Sequence, residues 1–468
     1  MSSILLQNAT ILCHKGEQVQ ILRQHDLLIE NDTIKRIGKN LALSEASSGR
    51  VIDCTGKIVS PGFVDTHHHL WQSQLRGRHG DHGFKEYMVT GNMQSFNYEP
   101  DDIFWGQLAG CLASIDAGVT TVVDHAHMSY SAEHVKKGIQ ASVSSGLRTV
   151  FCYTPIERIE EWTETVKFAD DFLPDWWMPL FDELNQTVGQ DGRVMLGLGI
   201  ELTAPRDVAV ALWKRANELG MLVTTHYVAG FMPNIVQILA ENSLLSGRII
   251  VSHATGIALS DAATLAENQV YISTTPETEL QMGLGEPVAL RGKNNSPLSS
   301  HTCVGVDCHS NNSSDLITQL RLLVQHMRGQ EYLVAQARGE YAAISAKLEH
   351  AFNLGTLQGA RAMGLEHKIG TLEEGKKADL VVFDTDTPAM VCADSYPLAA
   401  ILLHASIRDI GMVIIDGAIV KENGQLNVTL DGETVGWKTV AEKLRQSQQD
   451  VVQRGETQQL EGVSPWKQ

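Results

Sequence analysis

Between Gly62 and Asp307 the chain repeats one pattern: a short apolar run, a polar break, then a stretch with helical character. Eight such runs are readable, at 62–66, 119–124, 148–153, 194–201, 222–226, 249–253, 270–274 and 303–307. They are mostly continuous Val/Ile/Leu segments, the mark of strands covered on both faces and therefore of a parallel sheet. Between them, Pro100-Asp101-Asp102 opens a helix that Gly118 can end, and further helices are expected near 132–145 and 180–188. The segment 205–219 carries apolar residues at 208, 211, 212, 216 and 219, the spacing of a buried helical stripe. Eight alternating units over roughly 300 residues predict a (β/α)8 TIM-type barrel.

The flanks follow a different rhythm. Runs at 4–13, 26–30, 33–37 and 51–59 are β-rich and broken by Asn31-Asp32 and Thr55-Gly56-Lys57. Similar runs return at 370–384 and 412–420, with turns at Asp416-Gly417 and Asn423-Gly424. Two β-rich ends around a barrel most simply pair into one small β-sandwich. The expected organisation is therefore 1–60 and 366–428 as its two parts and 61–365 as the barrel. The remainder, 429–468, reads as a helical and then polar tail, exposed or touching a partner.

A barrel of this kind carries its chemistry where strands end, on the C-terminal face. The first run ends in Thr66-His67-His68-His69, and alternate residues of an extended chain point the same way, so His67 and His69 project together while His68 faces elsewhere. Other runs end in Asp124-His125-Ala126-His127, His226, His253 and Asp307-Cys308-His309. A single buried histidine is as often structural as functional. Five strand ends bearing His or Asp point to a metal site, since neutral imidazole is the commonest metal ligand.

These residues bring a resemblance with them. Pro61-Gly62-Phe63-Val64-Asp65-Thr66-His67-His68-His69, Gly118-Val119-Thr120-Thr121-Val122-Val123-Asp124, Val304-Gly305-Val306-Asp307 and the segment 369–380 together resemble the amidohydrolase superfamily, within it the branch of metal-dependent deaminases and chlorohydrolases. The resemblance implies metal ligation by His67, His69, His226 and Asp307, with His253 beside the metal-bound water. It implies one divalent transition metal, Zn²⁺ first, with Fe²⁺ or Mn²⁺ suiting the same donors. Strand four ends in Glu201 rather than the bridging lysine of binuclear relatives, which favours a single ion. The implied reaction is attack of metal-bound hydroxide on an sp² carbon of a small cyclic C–N compound, with Asp307 moving the water proton. Deamination of a heterocycle is the leading expectation. Amide or halide hydrolysis, a metal-dependent decarboxylase and a catalytically silent barrel used as an interaction scaffold are the alternatives.

Two departures from that branch stand out. Deaminase relatives carry a glutamate three residues after the strand-five histidine, where this chain has Ala229, and a His-Ala-Pro where it has Thr203-Ala204-Pro205. The segment Thr275-Pro276-Glu277-Thr278-Glu279 offers a replacement: Glu279 is expected to bind a polar group of the substrate or to supply the missing acid. Trp71, Gln72, His125 and His127 are expected on the substrate side.

Composition narrows the setting. A net charge of −18 argues against nucleic acid and anionic membranes as partners and suits a neutral or cationic small molecule. Seven scattered cysteines without a C-x-x-C pair match a reducing compartment. The start lacks a signal-peptide pattern, and no apolar run reaches the ~18 residues of a membrane span. A cytoplasmic enzyme, with homodimerisation open as it is among relatives, is the resulting expectation.

Overall fold

The computed structural model describes residues 3–44, 49–188, 192–201, 203–291, 300–430 and 432–458. Eight parallel strands follow one another around the barrel: Phe63–His68, Val119–Ala126, Arg148–Tyr153, Val194–Gly199, Val223–Val228, Ile249–Thr255, Tyr271–Thr274 and Thr302–Val304. All eight are those expected from the apolar runs. The boundaries differ at functionally telling places. The fourth strand stops at Gly199, two residues short of Glu201, and the eighth stops at Val304. Past Val304 the chain leaves its neighbour and closes the ring on the first strand. Asp307 N donates to His67 O at 2.8 Å, and His69 N donates to Asp307 O at 3.2 Å. Gly305 permits that closure, since a Cβ there would lie 2.7 Å from His67 O. The barrel is thus sealed by the segments that carry His67, His69 and Asp307.

Helices cover the outside. Pro100–Asp116 begins with a capping box between Glu99 and Asp102, with proline at its first position. Ala132–Ser145 ends at Gly146 in the left-handed conformation, and Arg206–Leu219 ends in the same way at Gly220. The helix expected near 180–188 starts earlier, at Trp177, where Trp177 stacks on Tyr153 and Phe181 on Trp177, filling the core beside the third strand.

Both ends of the chain build a second, nine-stranded sheet. Its central seam is antiparallel pairing of Lys57–Pro61 with Leu380–Asp384, which joins the N-terminal strands to the C-terminal ones. Arg148, at the base of the third barrel strand, pins this sheet to the barrel through Asp379 at 3.1 Å and Asp416 at 2.5 Å. The expected exposed tail is corrected in its helical part. Trp437–Gly455 packs on Pro100–Asp116, with Val440 and Val451 fully buried. Two of its polar residues reach inward while most of the others stay exposed: Ser447 Oγ donates to Asp102 Oδ1 at 2.5 Å, and Arg454 pairs with Asp102 at 2.6 Å. Residues 459–468 of that tail lie outside the described residues. No helix among the described residues is long and apolar enough to cross a membrane.

Candidate metal centre and cavity

One ligand atom from each of His67, His69, His226 and Asp307 lies within 4.8 Å of the others. His67 Nε2 is 3.1 Å from His226 Nε2 and 3.3 Å from Asp307 Oδ1, and His69 Nε2 is 3.1 Å from the same Oδ1. The outer nitrogens explain what these inner atoms can do. His69 Nδ1 lies 2.9 Å from the carbonyl of His125, and His226 Nδ1 lies 2.7 Å from Glu201 Oε1. A carbonyl and a carboxylate only accept, so both rings carry their proton on Nδ1 and turn an Nε2 lone pair inward. His67 Nδ1 is tied to Ser252 Oγ at 2.8 Å, and burial pushes its imidazole well below the ordinary range, keeping it neutral.

With His67 also protonated on Nδ1 and donating to Ser252, the centre is a set of acceptors about 3 Å apart, which repel unless a cation lies between them. An ion with ligands at about 2.0–2.1 Å would set neighbouring ligand atoms roughly 3–3.5 Å apart, close to the three distances above. Three imidazoles and a carboxylate fit a divalent transition metal.

Backbone strain collects at the same place. His253, Ala254 and Asp307 have φ of 68°, 52° and 70°, left-handed values that cost non-glycine residues about 1–3 kcal/mol each. These turns end the sixth strand and the eighth-strand extension, and they bring His253 and Asp307 to the wall of a cavity of about 370 Å³ at the C-terminal face. His69, His226, Glu201 and His127 join them at the polar end. Phe84, Met88, Met93, Tyr130, Ile159, Phe168, Met232, Met282 and Leu284 make the rest largely apolar. His253 Nδ1 bonds Thr275 Oγ1 at 2.9 Å, leaving its other nitrogen for the cavity.

Several expected substrate contacts are corrected. Trp71 is fully buried behind the cavity, packed edge-on against Tyr98 and His127, and does not line it. Gln72 lies one layer back as well. It donates to Tyr87 Oη at 2.8 Å, and Tyr87 is the residue that meets the cavity. His125 is equally removed: its Nε2 approaches Glu201 Oε1 at 2.7 Å, and burial lowers its pKa to about 4. His127 does line the cavity. Glu279 does not reach it. Its carboxylate accepts from Thr274 Oγ1 at 2.7 Å and Thr275 N at 2.8 Å, fully buried and 3.6 Å from His253 Nδ1. It braces Thr275, which holds His253, and has no route to a substrate.

His68 faces away from the centre, as expected, and joins a buried polar chain. Its Nδ1 is 2.7 Å from Asp65 Oδ2 and its Nε2 is 2.7 Å from His309 Nδ1, while His309 Nε2 reaches Ser73 Oγ at 3.0 Å. Tyr87, Met88, Met93, Tyr130 and Phe168 were not singled out from the sequence. They come from short turns and a two-stranded hairpin, Ile159–Trp162 with Val166–Phe168, where no periodicity marks which side chain turns inward.

Comparison with known proteins agrees with this geometry. The Amidohydrolase family matches residues 58–420. A 5'-deoxyadenosine deaminase of Methanobrevibacter smithii is 28% identical over 87% of this chain and 91% of its own length. A 5-methylthioadenosine/S-adenosylhomocysteine deaminase of Symbiobacterium thermophilum is 26% identical over 90% of this chain and 94% of its own. Among solved structures, a zinc-bound adenosine deaminase from Xanthomonas campestris superposes with a TM-score of 0.78 at 18% identity, covering 96% of this chain and 98% of that one. An atrazine chlorohydrolase from Arthrobacter aurescens, in complex with zinc, superposes at 0.77 and 20% identity, covering 95% and 100%.

Proposed function

This chain belongs to the amidohydrolase family, and from that premise we propose that it is a metal-dependent deaminase that hydrolyses a C–N bond at an sp² carbon of a small heterocycle. The names of its relatives support deamination, and the inward-facing donors of His67, His69, His226 and Asp307 at the floor of a cavity support the metal dependence. That convergence is the observation that carries the reading. Zinc is the favoured ion: it suits a three-nitrogen, one-oxygen donor set, and zinc is named in solved relatives of the fold.

Bound there, a divalent metal lowers the pKa of a water toward about 7 and so supplies a nucleophile at neutral pH. The protein's own groups do the rest. Asp307 turns Oδ1 toward His67 and His69, which leaves Oδ2 to take the proton of the attacking water and deliver it to the departing amine. His253, tied at Nδ1 by Thr275, aligns the water or the charge that builds on the attacked carbon's neighbour. His127 and the apolar wall hold the ring and exclude bulk water.

The test is a screen of zinc-loaded protein against aminopurines, aminopyrimidines and aminotriazines, following ammonia and mass change. Asp307→Asn should lose turnover while keeping its fold. Failure to release ammonia from any of these compounds, or an active Asp307→Asn enzyme, would overturn the reading. A second reading is hydrolysis of an amide or halide. It is favoured by Ala229, whose methyl group stands where deaminase relatives keep a proton-shuttling carboxylate. Leaving groups that depart without ring protonation have no need of one.

A further inference from the structure

Glu201 lines the cavity, and the reaction above leaves its chemistry unused. It lies just past the fourth strand, its side chain is 22% exposed, and the surface it shows belongs to the cavity. Both its close contacts use one oxygen: Oε1 accepts from His226 Nδ1 at 2.7 Å and lies 2.7 Å from His125 Nε2. Among the described residues Oε2 makes no hydrogen bond. Oε2 is thus a carboxylate acceptor left open at the cavity wall.

Such an acceptor in a largely apolar cavity demands a donor when water leaves. No side chain of the cavity wall donates to Oε2 among the described residues, no lysine or arginine lines that wall, and Glu157 adds a second carboxylate. The donor must then come with the ligand. A ligand carrying a phosphate or carboxylate away from the metal would meet these carboxylates with no lysine or arginine to offset them, whereas Phe84, Met93, Phe168 and Met282 suit an apolar substituent.

We propose that Glu201 sets substrate choice, its Oε2 accepting a hydrogen bond from an N–H of the bound ring, and that the substrates are uncharged or cationic amino-heterocycles bearing an apolar substituent. This rests on the deaminase reading for the word substrate, but the recognition itself is a binding property and is tested as one.

The probes are a diamino-phenyl-triazine, the same ring with benzoate in place of phenyl, and its bis(dimethylamino) counterpart, which lacks the N–H groups. Calorimetry on zinc-loaded protein should show the first binding more tightly than either of the others. For the ring without N–H groups the expected margin is about ten- to a hundredfold, the loss of one hydrogen bond to a charged group. Glu201→Gln should shrink both margins to a fewfold, and elemental analysis should still find zinc, separating recognition from support of His226. Margins that survive in Glu201→Gln, or a benzoate that binds the wild type as well as the phenyl compound, would overturn the proposal. Discrimination without ammonia release would leave it standing and sink the deaminase reading. Ammonia release without discrimination would do the reverse.

Discussion

Thr275→Val is the sharpest probe of how the fold serves the chemistry. Thr275 is fully buried, and valine copies its shape, so packing around it should hold. Its backbone N–H still reaches Glu279 Oε1 at 2.8 Å, and what is lost is Oγ1 with its 2.9 Å bond to His253 Nδ1 and its longer 3.5 Å contact to Glu279 Oε1. That leaves a buried ring nitrogen without its partner, at a cost of about 1–3 kcal/mol. If His253 acts at the cavity as proposed, its orientation matters most at the transition state, and this energy appears as a fall in kcat/KM of about 5- to 150-fold. The hydrogen-bond partners of the metal-facing histidines are Ser252, the His125 carbonyl and Glu201, so bound metal should not change. The assay is steady-state ammonia release alongside elemental analysis and a thermal melt. Thr275→Ser, which keeps the hydroxyl, should stay near wild type. Wild-type kcat/KM in a folded, metal-loaded Thr275→Val enzyme would refute the reasoning, as would an equal loss in Thr275→Ser.

Other consequences follow from the same contacts. Chelation should abolish turnover and lower the unfolding midpoint, because an ion held by four convergent donors binds only the folded chain, and added zinc should restore both. An unchanged midpoint would count against a bound ion in the folded protein. Arg148→Met should destabilise by about 3–5 kcal/mol in denaturant unfolding, since it strands the buried Asp379 carboxylate. Adding Asp379→Asn should recover part of that loss, and no recovery would refute the assignment. Burial opposes the Asp416 charge, but Arg148 and Arg193 hold its carboxyl below the ordinary range. A depressed carboxylate contributes stability that is full above its unfolded pKa of about 3.9 and is lost as pH falls through the lower folded value. Asp416→Asn should therefore flatten the acid limb of the stability profile, and an unaltered limb would refute the linkage.

Much of the molecule was legible before any coordinates. All eight barrel strands stand at the apolar runs, because a strand covered on both faces must be continuously apolar and little else in the chain is. The histidine- and aspartate-bearing strand ends were readable as one cluster because the barrel delivers them to one face, and the resemblance picked His67, His69, His226 and Asp307 from among them. His68 was readable as the exception by strand alternation, although its partners Asp65 and His309 were not. The contacts of Trp71, Gln72, His125 and Glu279 were misjudged for a shared reason. Each is near a ligand in sequence, but proximity along a loop does not say which layer the side chain enters. Trp71 and Gln72 fall inside a turn of Leu70–Leu75 whose every residue is buried. Glu279 turns back on the Thr274 and Thr275 groups of its own loop.

Sequence by itself determined the barrel and the paired terminal sheet, because hydrophobic pattern and strand geometry act locally and repeat, while the choice of four donors came with the family resemblance. Only the tertiary structure decided which of the remaining polar residues meet the cavity and which stand behind it. It placed Glu201 at the wall with one oxygen engaged, withdrew Glu279 to brace His253 through Thr275, and folded the polar C-terminal helix onto Asp102. Those outcomes depend on which of several competing partners satisfies each buried polar group, and such partners lie anywhere from four residues away, as for Thr275 and Glu279, to 345, as for Asp102 and Ser447.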